Sequence, residues 1–276
     1  MRPPSAGPDM DKKSLSDLLE QARTIAVEAG RKILEVSPEE HNVVRKADGS
    51  PVSRADLAAH DTILAGLSRL EPEFPIISEE SYEELVNSGG AHRSPGEIYW
   101  LVDPLDGTRE YIRGRDEYTV NIALVERETP VLGVIYAPAL GSLYFAAKGL
   151  GGGRLNGGRT PEPLRPNLER HSLTGAVSRS HCSPETIAFL EKHGVFNYIQ
   201  SGSSLKMCLV AEGRADIYPR FGPTCLWDTA AGYAVAVESG CRVVDLKGRD
   251  LVYAPERGIK HYGFVVYAPA MGDLSL

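Results

Sequence analysis

The sequence predicts an α/β protein whose N-terminal half is α+β. Two observations carry this. The chain opens with helical periodicity and continues into closely spaced apolar runs joined by short turns. It then finishes on strands and helices in alternation, the pattern of an α/β layer.

Each element has its own signal. Leu15, Leu18, Leu19, Ala22, Ile25, Ala26, Ala29, Ile33 and Leu34 recur at helical spacing, with Ser14 placed to cap the helix and Pro38 to end it. A polar loop, Lys46 to Pro51, leads to a second helix from about Ser53 to Leu70, stopped by Pro72 and Pro75. Pro75 to Ser78 reads as a short strand running into Glu79-Glu80, and Asn87 to Gly90 as a polar, mobile stretch. Ile98 to Val102 is a buried strand, and Tyr118 to Val125, Val131 to Tyr136 and Leu143 to Ala147 form an antiparallel meander.

Glycines and prolines crowd the Gly149 to Pro166 stretch, which is the natural place for a boundary. The expected organisation is a disordered tail over 1–11, an α+β domain over 12–150 and an α/β domain over 151–276. In the last of these, strands at Ala176 to Ser178, Tyr198-Ile199, Ala215 to Tyr218, Arg242 to Asp245 and Gly263 to Tyr267 alternate with helices. The helices cover Pro184 to His193, Ser204 to Glu212 and Thr229 to Ser239.

Composition narrows the function. The 276 residues are 42% hydrophobic and 24% charged, with a formal charge of −7. That balance excludes a basic groove for a nucleic-acid polymer, but not a small anionic substrate whose charge is met locally. The four cysteines show no zinc-ligand spacing and read as reduced thiols of a cytoplasmic protein. No apolar stretch approaches the ~20 residues of a membrane span, and the Pro-rich start lacks the core of a signal peptide.

The chemistry concentrates in Asp103-Pro104-Leu105-Asp106-Gly107-Thr108, which follows the Ile98 to Val102 strand. This turn presents two carboxylates, a free carbonyl and a hydroxyl, an oxygen-only set suited to a hard cation such as Mg²⁺. Glu79, Asp103, Asp106 and Asp228 all lie at the ends of apolar segments, where one cleft can gather them. Carboxylates so gathered repel unless cations neutralise them. Each also has a plainer reading. Glu79-Glu80 would serve as a solvated pair, Asp228 as a helix N-cap, and Asp56 as the partner of Ser53 in a capping box. Thr108 and Asp56 together would pass a water proton from hydroxyl to carboxylate.

Donors for phosphate follow. Ser201-Gly202-Ser203-Ser204 precedes the helix holding Lys206, and Arg220 sits between a strand and a turn with a forked donor. Ser178-Arg179-Ser180-His181 follows a strand and would reach the same pocket. For Arg220 and His181 the plainer readings are a surface arginine and a structural histidine.

These motifs, in this order and separation, resemble the lithium-sensitive, magnesium-dependent phosphatase superfamily of inositol monophosphatase over nearly the whole chain. Asp103 to Thr108, Ser78-Glu79-Glu80 and Trp227-Asp228-Thr229-Ala230-Ala231-Gly232 carry the resemblance. Within it, Lys46-Ala47-Asp48, Ser50-Pro51-Val52, Tyr118 to Leu124, Ser178 to His181, Gly202 to Lys206 and Leu209 to Thr224 are most similar to the bacterial 3′(2′),5′-bisphosphate nucleotidases.

The resemblance implies a layered α/β/α/β/α sandwich of the inositol monophosphatase/fructose-1,6-bisphosphatase type. It implies Glu79, Asp103, the Leu105 carbonyl, Asp106 and Asp228 as ligands of two or three Mg²⁺ ions, inhibited by Li⁺. Asp56, Thr108 and Glu79 would be catalytic, with Asp56 and Thr108 activating the water. Gly107 and Thr108 would touch the scissile phosphate at the metal site, and Ser203, Lys206, Arg220 and His181 would hold the nucleotide and its second phosphate. The expected reaction is hydrolysis of the 3′-phosphate of adenosine 3′,5′-bisphosphate, or of its sulfated form, in sulfur assimilation. The expected protein is a cytoplasmic monomer or homodimer; relatives suggest peripheral association with the inner membrane, for which no segment here supplies an anchor. The competing expectations are an inositol monophosphatase with the same metal site, and a non-catalytic sensor of the bisphosphate. The N-terminal tail, Cys225 and His261-Tyr262 depart from the family pattern.

Overall fold

The computed structural model describes residues 9–36, 43–45, 51–89, 94–169, 172–180 and 182–276. Its helices and strands, in order, are α1 (Lys12–Glu35), β1 (Val44–Arg45), β2 (Pro51–Val52), α2 (Arg54–Leu67), β3 (Ile76–Ser78), α3 (Glu79–Asn87), β4 (Ile98–Asp106), α4 (Thr108–Ile112), β5 (Thr119–Glu126), β6 (Thr129–Ala137), β7 (Ser142–Ala147), β8 (Gly151–Asn156) and β9 (Glu162–Pro163). There follow β10 (Thr174–Ser178), α5 (Pro184–Lys192), β11 (Asn197–Ser201), α6 (Leu205–Ala211), β12 (Ile217–Arg220), β13 (Thr224–Cys225), α7 (Leu226–Glu238), β14 (Arg242–Asp245), β15 (Lys260–His261) and β16 (Phe264–Tyr267).

Strands β3 to β9 form one seven-stranded sheet in chain order, and a five-stranded sheet runs β11-β10-β12-β16-β14. In the first sheet only β3 and β4 pair in parallel; in the second, β10 is parallel to both β11 and β12. Side-chain alternation then assigns the layers. Along β4, Trp100 and Val102 pack with Leu15, Leu18 and Ile33 of α1 and Ile63 of α2. Tyr99 and Leu101 face the other way, into a core with Met207 of α6, Ala231 and Val235 of α7, and Val243 and Val266 of the second sheet. The far face of that sheet packs Val177, Ile217 and Val265 against Leu190 of α5. The result is a five-layered α/β/α/β/α sandwich with α6 and α7 at its centre. Gly133 of β6 permits the close approach of α7, since a Cβ there would meet the Ala231 carbonyl oxygen at 2.3 Å.

Three boundaries differ from the sequence expectation. Asp11, not Ser14, caps α1: its Oδ1 accepts from Lys13 N and Ser14 N at 2.9 Å, and Ser14 Oγ donates to its Oδ2. The tail expected over 1–11 is accordingly tied down at its end, with Asp9 paired to Arg127 and Lys148. Glu79 opens a helix, whereas the sequence indicates only a strand end there.

The domain boundary expected at 150 lies inside the first sheet, because β8 and β9 extend it. The glycines there serve packing: a Cβ on Gly152 would strike Ser239 Oγ at 2.3 Å, and one on Gly153 the Phe145 ring at 2.6 Å. The switch between sheets comes after Pro163. Among the described residues no helix is long and apolar enough to cross a membrane.

Candidate active site

The end of β4 and the starts of α3, α4, α6 and α7 converge on one cavity of about 290 Å³. The β4–β5 register breaks between Asp103 and Asp106, so Pro104-Leu105 leaves the ladder and both carboxylates turn to the same cavity. Gly107 reverses the chain at φ 93°, a conformation glycine adopts without strain. Thr108 then opens α4.

Glu79, Asp103 and Asp228 each offer a carboxylate oxygen within 4.8 Å of the others. Their burial and proximity have an electrostatic consequence. Asp103 and Asp228 are pushed well above the ordinary carboxylate range, first by desolvation and then by neighbouring carboxylates. Cys225 N–H donates to Asp228 Oδ2 at 3.0 Å, so Asp228 also closes a capping box on α7, the plainer role open from sequence. An all-oxygen, mutually repelling, partly buried donor set fits a hard divalent cation, whose charge would relieve that repulsion.

Asp106 lines the same cavity and acts on Asp103 and Asp228, but it has donors of its own. Its Oδ2 accepts from Ser204 N at 2.6 Å and Asn121 Nδ2 at 3.5 Å. Burial raises its pKa to about 6, opposed first by the Lys206 ammonium. Lys206, 5% exposed, is lowered to about 8 by burial; it donates to Ser203 O and lies 5.4 Å from the Tyr218 ring centroid.

Thr108 Oγ1 donates to Asp56 Oδ1 at 2.9 Å, with Leu105 O as a second acceptor at 3.1 Å. Asp56 Oδ2 accepts from Ser53 N at 2.8 Å and Ser53 Oγ at 2.5 Å. Asp56 thus fills both of its expected roles, capping α2 and contacting Thr108. Burial raises its pKa despite these three donors.

Across the cavity lie Ser203, Lys206 and Arg220. Ser203 has φ 46°, and its buried Oγ has no partner, an orphaned donor that an oxyanion would satisfy. The Ser204 N–H, by contrast, is spent on Asp106 rather than free for a ligand. Arg220 Nε reaches Thr224 Oγ1 at 3.4 Å. His181 and the Lys46 to Ser50 loop lie outside the described residues.

Sequence reasoning missed the group that supports Asp106. Thr119 Oγ1 and Ser204 Oγ share Asn121 Oδ1 at 3.0 and 2.8 Å, which leaves Asn121 Nδ2 to face Asp106. The available signal was Thr119 and Asn121, two polar residues on one face of an otherwise apolar strand.

Comparison with known proteins agrees with this architecture. The profile of the Inositol monophosphatase family matches residues 14–265. The 3′(2′),5′-bisphosphate nucleotidase CysQ of Salmonella typhimurium is 46% identical over 253 residues, 90% of this chain and 99% of the relative. That of Escherichia coli K12 is 44% identical over 251 residues, again 90% and 99%. The crystal structure of CysQ from Bacteroides thetaiotaomicron, a bacterial member of the inositol monophosphatase family, superposes with a TM-score of 0.75 at 37% identity, covering 92% of this chain and 97% of that one.

Proposed function

The chain belongs to the inositol monophosphatase family, and from that premise we propose that it is a 3′(2′),5′-bisphosphate nucleotidase. It removes the 3′-phosphate of adenosine 3′,5′-bisphosphate, releasing AMP and phosphate, and accepts the sulfated nucleotide in the same way. The observation that carries this reading is one cavity with two poles. The carboxylates of Glu79, Asp103 and Asp228 form the first, and Ser203, Lys206 and Arg220 form the second. A monophosphate needs only the first pole.

Glu79, Asp103, the Leu105 carbonyl, Asp106 and Asp228 would hold Mg²⁺, two or three ions in number and displaced in part by Li⁺. Bound there, the cation supplies positive charge for the transferred phosphoryl group and its leaving oxygen. The remaining work falls to side chains. Thr108 Oγ1 accepts a proton from the attacking water as it passes its own to Asp56 Oδ1, already hydrogen-bonded at 2.9 Å. Ser53 fixes the Asp56 carboxylate through its other oxygen, so the relay loses no time to reorientation. A raised Asp56 pKa favours proton acceptance near neutral pH. Gly107 and Thr108 line the position of the scissile phosphate. Lys206, Arg220 and Ser203 Oγ, with His181, hold the 5′-phosphate and nucleoside. We place the enzyme in the cytoplasm, as monomer or homodimer.

The test is phosphate release with Mg²⁺ from adenosine 3′,5′-bisphosphate and from inositol 1-phosphate, each with and without Li⁺. Preference for the bisphosphate with loss of activity in Li⁺ is the expected result. Preference for inositol phosphate would leave the carboxylate pole in place and remove the role given to Lys206 and Arg220. Tight binding without release would identify a sensor instead of an enzyme.

A further inference from the structure

Two glutamates beside the catalytic turn have no part in the scheme above. Glu117, in the loop between α4 and β5, receives both arms of Arg179: Nε to Oε2 and Nη2 to Oε1, each at 2.7 Å. Arg179 follows the end of β10. Its Nη2 also donates to Gln200 O at 3.0 Å and its N–H to Ser201 O at 3.2 Å. One guanidinium therefore ties the loop after β10 and the end of β11 to the catalytic half. Forked pairing fixes orientation as well as distance, which a lone ammonium would not do. The guanidinium holds the Glu117 carboxyl below the usual carboxylate range, and the nearby Gly202 N–H acts in the same direction.

The backbone of Glu117 is equally committed. A Cβ on Gly107 would lie 3.1 Å from the Glu117 carbonyl oxygen, and one on Gly202 would lie 2.6 Å from it. Glu117 is thus wedged between the catalytic turn and the loop that presents Ser203. Glu110, 6% exposed, closes the same gap. Its Oε1 accepts from Ser180 Oγ at 2.6 Å, and a Cβ on Gly202 would come within 3.1 Å of its Cγ.

We propose that the Glu117–Arg179 pair is a positioning clasp that sets the spacing between the catalytic turn and the wall carrying Ser203 and Lys206, and thereby the selectivity for substrates with a second phosphate. This deepens the bisphosphate reading and rests on it. A substrate held at two anion sites must match one fixed spacing, whereas a ligand held at the turn alone does not register it. Displacements near 1 Å are costly for such two-point binding.

The experiment compares wild type with Glu117→Gln, Arg179→Ala and the reversed pair Glu117→Arg/Arg179→Glu. It reads kcat and KM for adenosine 3′,5′-bisphosphate, and inhibition by AMP and by inorganic phosphate. Each single variant should raise KM for the bisphosphate about tenfold, with kcat held within about threefold and inhibition by AMP and by phosphate, each held at a single anion site, changed by less than about threefold. The reversed pair should recover most of that loss. An unchanged KM, a weakening of AMP or phosphate inhibition as large as the rise in KM, or a fall in kcat alone would overturn the clasp. Arg179→Ala removes a partly exposed side chain and keeps the test open if Glu117→Gln folds poorly. A wild type without preference for the bisphosphate defeats the proposed function; a preference retained in the variants defeats the clasp alone.

Discussion

Stripping divalent cations and varying pH should expose the repulsion built into the carboxylate pole. Asp106 sets the scale. Its proton leaves near pH 6 in the fold, against 3.8 for the unfolded side chain. Between those values the folded state holds a proton that the unfolded state has lost, so stability falls as pH rises through this window. Full ionisation of this one group costs about 3 kcal/mol, on the order of 5 °C in melting temperature for a chain of this length. Asp103 and Asp228, raised by the same causes, add to it.

His261 opposes the trend. Burial lowers its pKa from 6.5 to about 4, so only the unfolded chain takes up a proton in that range, and its contribution rises with pH. Carboxyls held low, such as Asp245, titrate below the window. The discriminating quantity is therefore the melting-point gain on adding saturating Mg²⁺, measured from pH 4 to pH 8 by calorimetry. The gain should be small at pH 4 and exceed about 5 °C at pH 7 and above. A gain independent of pH, or largest at pH 4, would refute the argument that buried carboxylate charge awaits a cation.

Three further outcomes are expected. Thr108→Val removes the hydroxyl between water and Asp56 and should lower kcat about a hundredfold with little change in KM, measured as phosphate release; near-normal kcat would remove Thr108 from proton transfer. Lys206→Ala with Arg220→Ala should weaken adenosine 3′,5′-bisphosphate at least tenfold more than a monophosphate, and equal losses on both would count against two-pole recognition. Gly133→Ala places a Cβ 2.3 Å from the Ala231 carbonyl oxygen, forcing β6 and α7 apart. It should cost about 1–3 kcal/mol in denaturant unfolding and weaken the Mg²⁺ dependence of stability, because α7 also carries Asp228; unaltered stability would mean the interface yields freely.

Much of the layer order is legible because strand alternation and helix periodicity report burial directly. Trp100 and Val102 separate from Tyr99 and Leu101 by parity alone, and α1 shows its apolar stripe without ambiguity. Within the Gly149 to Pro166 stretch the switch between sheets comes after Pro163 and not at 150, a position hidden because glycine has two uses that sequence cannot separate. It loosens a linker, or it clears space for a neighbour, as Gly152 does for Ser239. The start of α3 was hidden for a related reason: Glu79-Glu80 continues a strand in sequence, and only the helix that follows shows where the turn falls.

The candidate site divides along the same line. Local motifs deliver carboxylates to the ends of strands and helices, so Asp103 to Thr108, Glu79 and Asp228 can be read from short stretches of chain. What the side chains do to each other depends on contacts across many residues. Asp106 sits beside the trio but is also held by the N–H of Ser204, 98 positions away, a contact that local reasoning does not supply. Ser203 keeps a buried hydroxyl without a partner, while its neighbour Ser204 gives its N–H to Asp106. Glu117 matches no motif, and Arg179, 62 positions away, lies in the Ser178 to His181 stretch with no signal of its partner. Residues that carry charge to the reaction announce themselves by type, while those that fix the distances between them are visible only once the two halves meet.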